Sequence, residues 1–231
     1  MTYSTLEQIK NKLMFDDDIF DEDFIDTDTE LLGYINEAID DVESEIHNLY
    51  EDYFLCSSSI TLISGTSEYA LPSDIFSSKI RSLHYDNGSK YYPIKKVKRL
   101  TDVLGFRTGS TENYQFIVLN PSTGLKLKLY PTPAEAGAYI KIFYIRNAKR
   151  LALAADECDI PEFINFVYAH VKWNLSFKEK LPWDTDKMSA KLDAQRALMI
   201  KTLSTMTPDE SSGEIPPDMS FYNDFDSEFC D

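Results

Sequence analysis

The stretch Glu30-Leu-Leu-Gly-Tyr-Ile-Asn-Glu-Ala-Ile-Asp-Asp-Val-Glu-Ser-Glu-Ile-His-Asn-Leu-Tyr-Glu-Asp-Tyr53 decides how this 231-residue chain folds. Its apolar residues Leu32, Ile35, Ile39, Val42, Ile46, Leu49 and Tyr53 recur at alternating steps of three and four, which predicts one apolar stripe on one long helix. Glu37, Asp40, Asp41, Glu43 and Glu45 fall on the wet side. Thr27-Asp-Thr-Glu30 precedes the run with the form of a capping box, whose hydroxyl and carboxylate satisfy free amides of the first turn. Such a seam suits a coiled coil or packing against helices of the same subunit, and the second is the commoner use of three heptads.

Downstream the period changes from that of helices to that of strands. Ile60 to Ile63 is a short β run, and Lys79 to Tyr85 leads into Asp86-Asn-Gly-Ser89, whose Asn-Gly pair favours a tight hairpin turn with Tyr91 to Val97 returning. Arg99 to Phe106 reads as a helical turn. Tyr114 to Leu119, the turn Asn120-Pro-Ser-Thr-Gly124 and Leu125 to Tyr130 read as a second hairpin, in which Leu125, Leu127 and Leu129 alternate with Lys126 and Lys128. Ala138 to Arg146 adds one more strand, giving five or six in a small twisted sheet or barrel. Helical spacing then resumes. Asp159-Ile-Pro-Glu162 reads as a cap with proline near the first turn of a helix that buries Ile164, Val167, Val171 and Leu175. A last helix from Asp184 to Thr205 places Met188, Leu192, Met199 and Leu203 on its stripe, with Ala190, Ala194 and Ala197 allowing close approach.

The expected fold class is therefore α+β, a helical bundle built from both ends of the chain with an inserted small antiparallel β module and acidic, flexible N- and C-terminal arms. The expected organisation is an acidic arm with a short helix on Leu6, Ile9 and Leu13 at 1–27, the bundle at 28–56 and 151–206, the β module at 57–150 and an acidic, aromatic tail at 207–231.

Charge follows the same division. The formal net charge is −16, yet residues 31–206 hold 21 acids and 21 bases, while residues 1–30 hold 10 acids and 2 bases and residues 207–231 hold 8 acids and no base. A folded acidic mimic of DNA needs carboxylates spread over its surface, and duplex binding by the whole chain is disfavoured by two ends that repel phosphate. Cys56, Cys158 and Cys230 are odd in number and far apart, which fits a reducing assembly compartment. The first residues lack the form of a signal peptide, and no window is long and apolar enough for a membrane span.

A search for chemistry yields no catalytic, cofactor-binding or metal site. His47, His84 and His170 fall on three different elements without partners at ligand or triad spacing. The aspartates at 16, 18, 21 and 23 lack the glycine and terminal glutamate of a calcium loop. Acid pairs such as Asp156 and Asp159 arise by chance among 39 acids, and their ordinary role is helix capping. Two stretches are more specific. Lys79, Arg81, Lys90, Lys95, Lys96, Lys98 and Arg99 form a basic cluster with Tyr85, Tyr91 and Tyr92 interleaved; single-strand binding is one reading, and a solvated or protein-docking face centred on Lys95, Lys96, Lys98 and Arg99 is the preferred one. Phe221, Tyr222, Phe225 and Phe229 are costly to leave in water within an acidic tail, which reads as a segment unstructured alone that anchors on a partner groove.

Taken in order, Tyr69-Ala-Leu-Pro-Ser-Asp-Ile-Phe76, Tyr92-Pro-Ile94, Leu125-Lys-Leu-Lys-Leu-Tyr-Pro-Thr-Pro133, Ile140-Lys-Ile-Phe-Tyr-Ile-Arg146 and Asp159-Ile-Pro-Glu-Phe163 lie between flanking helices as they do in the head-to-tail adaptor (connector) proteins of tailed bacteriophages, which the chain resembles over residues 28–205. The resemblance implies a virion protein without an active site or cofactor, assembled in the host cytoplasm as a ring, commonly dodecameric, between portal protein and downstream tail proteins. Packaged DNA passes such a ring without sequence-specific binding, and no membrane is involved. On this sequence the resemblance assigns Leu32, Ile35, Ile39, Val42, Ile46, Leu49, Val167 and Val171 to bundle and subunit packing. The acidic arms depart from the expected pattern. Other readings are a tail-tube or baseplate component, a tail-associated cell-wall hydrolase, and an acidic inhibitor of a host enzyme.

Overall fold

The computed structural model describes residues 4–15, 29–97, 114–122, 124–134, 136–177 and 184–206. The chain is a mixed α+β protein. Its helices are α1 (Leu6–Phe15), α2 (Glu30–Leu49), α3 (Ile164–Ser176) and α4 (Thr185–Met206). Its strands are β1 (Leu55–Thr61), β2 (Glu68–Ala70), β3 (Ile75–Asp86), β4 (Tyr91–Pro93), β5 (Lys95–Lys96), β6 (Gln115–Leu119), β7 (Lys126–Tyr130) and β8 (Tyr139–Arg146).

The stripe on α2 buries Ile35, Ile39, Val42 and Ile46 completely, together with Leu31 and Ala38. They share one apolar core with Leu6, Ile9 and Leu13 of α1, Val167, Val171 and Leu175 of α3, and Leu192, Met199 and Leu203 of α4. Two members of the expected stripe differ. Leu32 is only half-buried, because a heptad spacing drifts by about 20° per seven residues on a straight helix, and Leu31 takes its place in the core. Leu49 is 38% exposed, since α2 ends there and Phe54, in the 3₁₀ turn Glu51–Phe54 that follows, fills the core instead. Thr29, not Thr27, is the N-cap of α2, and no side-chain cap bond forms there.

The segment expected to be an arm contains α1, which is packed into this core. Its start carries a capping box absent from the sequence reading: the Thr5 amide donates to Gln8 Oε1 (3.1 Å) and the Gln8 amide donates to Thr5 Oγ1 (3.3 Å). The amides of Leu6 and Glu7 donate to the carbonyls of Asp156 and Ala154, so α1 is held by the loop after β8.

The β region is two four-stranded sheets rather than one, ordered β1-β8-β3-β4 and β2-β7-β6-β5. The β3–β4 hairpin turns over Asn87 to Lys90, with Gly88 at φ 85°, and Asp86 and Asn87 side chains accept the turn amides. The expected return strand breaks after Pro93. The Ile94 amide still donates to Leu83, and Lys95 and Lys96 then cross to the second sheet and pair with β6 in parallel, so the module is not wholly antiparallel. The β6–β7 hairpin forms as expected. β3 begins earlier than expected, at Ile75, through a bulge where Ser77 and Ser78 take φ 44° and 60°. Leu83, Tyr85, Ile140, Ile142 and Tyr144 of the first sheet meet Phe116, Leu127 and Leu129 of the second in a separate core.

Substituting Ile39→Ala is expected to lower unfolding free energy in urea by about 2–5 kcal/mol, the cost of a large-to-small change in a closed core. Leu49→Ala at the half-exposed helix end is expected to cost less than about 1 kcal/mol. Equal losses at the two positions would contradict this packing.

Candidate interaction surface

The basic cluster is not one face. Lys79 and Arg81 on β3 both pair with Glu51 of the 3₁₀ turn, and Arg81 also pairs with Asp52 at 2.7 Å. Hydrogen bonding from Lys79 holds the Glu51 carboxyl below the usual range. Lys90 sits in the β3–β4 turn, and Lys95 and Lys96 are exposed on β5 at the far edge of the other sheet. Lys98 and Arg99 lie outside the described residues, as do the helical turn expected at Arg99–Phe106 and the aromatic anchors Phe221, Tyr222, Phe225 and Phe229. Of the interleaved tyrosines, Tyr85 and Tyr92 meet across the β3–β4 hairpin with ring centroids 6.3 Å apart, and Tyr91 stands apart from them. Tyr91 is exposed, whereas Tyr85 is buried against Tyr114 with ring centroids 5.1 Å apart. A continuous stacking platform for bases is therefore not assembled from these three rings.

The histidines stay apart. His47 stacks on Phe76 (3.7 Å, 12°) and meets Glu43 Oε1 at 3.3 Å, and burial lowers its pKa. His170 Nε2 meets Asp41 Oδ2 at 3.0 Å. His84 stands beside Lys141 and edge-on to Phe143, its pKa lowered by burial and then by the lysine. Among the described residues no three His, Cys, Asp or Glu side chains converge to hold a metal ion. Cys158 is buried, which pushes its thiol up to about 11.

A shallow depression of about 510 Å³ lies where the helices meet the first sheet, lined by Glu43, Ser73, Asp74, Asn147, Ala148 and Arg150. Its polar groups hold the fold. Glu43 Oε1 accepts from the Ala148 amide (3.0 Å), Asp74 Oδ1 accepts from the Tyr144 hydroxyl (2.9 Å), and Arg150 pairs with Asp40 (2.6 Å). The acid pair noted in the sequence is likewise occupied. Asp156 accepts the amides of Leu153 and Ala152 and pairs with Lys149, which hold its carboxyl down at about 2. Asp159 does not cap α3. It accepts from Arg146 and from the Lys149 amide, and the 3₁₀ turn Pro161–Phe163 leads into α3 with Phe163 as N-cap.

Exposed apolar side chains are spread over the fold, and α4 carries some of them. Ala190, Ala194 and Ala197, expected to allow close approach, are exposed, and Leu198 and Ile200 are exposed on the same helix. The expected inward stripe of α4 is the one observed, with Leu192, Met199 and Leu203 buried and Met188, at the start of the helix, half-buried.

Fold and surface together define an α+β protein with charges paired between neighbouring elements and apolar side chains left open on several of them, α4 and the β1 edge among them. The family model of the SU10 adaptor protein matches residues 1–216, and the chain belongs to this family of phage head-to-tail adaptors. No curated protein matches it. No helix among the described residues is long and apolar enough to cross a membrane.

Asp156 links the loop after β8 to α1, so Asp156→Asn is expected to speed hydrogen exchange at the amides of Leu6 and Glu7 in the folded protein. The folded pKa is depressed from 3.8 to about 2, so the contribution is present above the unfolded value and is lost as pH falls through about 2. The melting temperature of the wild-type chain should therefore drop across this window more steeply than that of the variant.

Proposed function

We propose that this chain is the subunit of a ring, commonly dodecameric in proteins it resembles, set between portal and tail at the head-to-tail interface of the virion. The ring extends the DNA channel and presents the surface to which tail proteins attach. DNA passes through it without sequence-specific contact. The observation that carries the reading is the family match over residues 1–216, supported by the exposed Ala190, Ala194, Ala197, Leu198 and Ile200 on α4.

In this reading the body is a helical bundle drawn from residues 28–56 and 151–206 with α1 packed against it, the β module spans 57–150, and the acidic stretches outside α1 are arms. Leu32, Ile35, Ile39, Val42, Ile46, Leu49, Val167 and Val171 serve the bundle and its subunit contacts, and Lys95, Lys96, Lys98 and Arg99 form a docking face for acidic protein. Phe221, Tyr222, Phe225 and Phe229 anchor the chain on a partner. No reaction is assigned to it. The carboxylates that a glycoside hydrolase needs as acid and base are, at Asp156 and Asp159, engaged in loop and arginine contacts. Assembly takes place in the host cytoplasm. A closed ring repeats one heterologous contact, so a modest interface per subunit stabilises the whole collar.

Negative-stain images of purified protein, alone and mixed with portal protein, test this. Rings, or rings formed on the portal, are expected; a monomer that never joins the portal overturns the proposal. Deleting residues 207–231 is expected to leave the melting temperature unchanged while weakening attachment in a pull-down by about tenfold or more. Undiminished attachment would remove the anchor role.

A further inference from the structure

Sheet edges are open templates for another strand, and folded proteins blunt them with short strands, lysine or proline. Three of the four edges here are treated in this way. β2 has three residues, β4 has three and contains Pro93, and β5 is Lys95 and Lys96 alone. The fourth edge, β1, is seven residues long, Leu55-Cys-Ser-Ser-Ser-Ile-Thr61, with neither charge nor proline. Among the described residues no strand lies on its outer side.

The hydrogen-bond phase of β1 follows from its register. The Leu62 amide donates to the Ala138 carbonyl at 2.8 Å and continues the pairing of Thr61 with Tyr139, so Cys56, Ser58 and Ile60 exchange bonds with β8. The amides and carbonyls of Leu55, Ser57, Ser59 and Thr61 therefore point away from the sheet. These odd-numbered residues also share one face, which continues to Ile63, and it carries exposed apolar side chains at its two ends, Leu55 (46%) and Ile63 (59%), with hydroxyls between.

One segment outside the described residues carries the same pattern. In Phe221-Tyr-Asn-Asp-Phe-Asp-Ser-Glu-Phe229 the odd positions read Phe, Asn, Phe, Ser, Phe, with apolar residues eight apart at the ends, and the acids fall on the other face. The remaining segments do not fit. Residues 16–28 hold eight acids in thirteen positions, residues 98–113 are interrupted by Gly105 and Gly109, residues 178–183 are too short to span the edge and contain Pro182, and residues 207–217 contain three prolines.

We propose that the free edge of β1 receives residues 221–229 of a neighbouring copy as an added strand, with Phe225 opposite Ser59 and the two terminal phenylalanines at Leu55 and Ile63. This rests on the ring reading, because donor and acceptor on one chain form a heterologous, self-propagating contact. Phe225 falls opposite Ser59 whichever way the strand runs.

Complementation tests it with full-length wild-type chain, a chain lacking residues 207–231, and the full chain bearing Ser57→Pro with Ser59→Pro. The prolines remove only outward amides, so the ladder to β8 is retained. A Phe225→Asp chain removes the donor side without touching any described residue. In light scattering, the wild type is expected to self-associate and each variant alone to do so more weakly by on the order of tenfold or more. The deleted and proline chains mixed together are expected to restore a one-to-one pair that grows no further. Hydrogen exchange at Ser57, Ser59 and Thr61 should slow on association. Association of the deleted or Phe225→Asp chain at wild-type strength overturns the proposal. So does slow exchange at these amides in a monomeric full chain that is lost on deletion, which assigns the edge to the chain's own tail. Binding to portal protein is read separately, so the adaptor reading and this contact fail independently.

Discussion

The fold turns on the two faces of β8. Side chains alternate across a strand, so neighbours in sequence face opposite ways. Along β8, Ile140, Ile142 and Tyr144 enter the core between the two sheets, and Ile145, one residue on, enters the core of the helices. A slip of one residue in pairing would turn Ile140, Ile142 and Tyr144 out of the sheet core and Ile145 out of the helical one, so the two cores fix one register. β1 and β3 flank the strand and share that constraint. Beyond it the chain is locked in place. Arg146 pairs with Asp159 and lies over the Phe54 ring at 5.1 Å, and Ala148, Leu151, Cys158 and Ile160 are all buried among the helices. The end of β8 thus joins the sheets to the core of the helices.

Charge on the body is spent locally. Lys79 and Arg81 answer Glu51 and Asp52, Arg146 answers Asp159, Lys149 answers Asp156, and Arg150 answers Asp40. Exposed pairs of this kind contribute little to stability, on the order of 0–1 kcal/mol each. Their larger effect is on the field around the molecule. With 21 acids and 21 bases in residues 31–206, the body presents no long-range attraction of its own, and the excess negative charge belongs to the ends.

Local pattern disclosed what depends on neighbouring residues. α2 and the β6–β7 hairpin were legible because their signals, a 3.6-residue stripe and strict alternation around a Pro-Gly turn, need only a few consecutive side chains. Pairings between distant segments left weaker traces. Nothing local in Ile94 to Val97 says that the chain changes sheets, since the parallel partner of Lys95 is Gln115, twenty residues away. The partners of the basic cluster were hidden for the same reason: the turn that neutralises Lys79 and Arg81 lies thirty residues upstream of Arg81, at Glu51. On α4, alanines fit either a tight helix contact or an open face, and only the positions of α2 and α3 decide between them. Phe221, Phe225 and Phe229, like Lys98 and Arg99, were legible as unusual composition, yet composition does not name a partner.

Edges connect this architecture to assembly. A chain selected only for solubility gains by shielding every strand edge and every apolar helix face, and β2, β4 and β5 show that short, charged or proline-bearing edges are within its means. Leaving β1 long and uncharged, and leaving Leu198 and Ile200 open on α4, exposes surface that invites association. The two openings lie on different parts of the fold, one on a sheet and one on a helix. Contacts of different kind on one subunit let one stay formed while the other adjusts, which a joint between unlike neighbours requires.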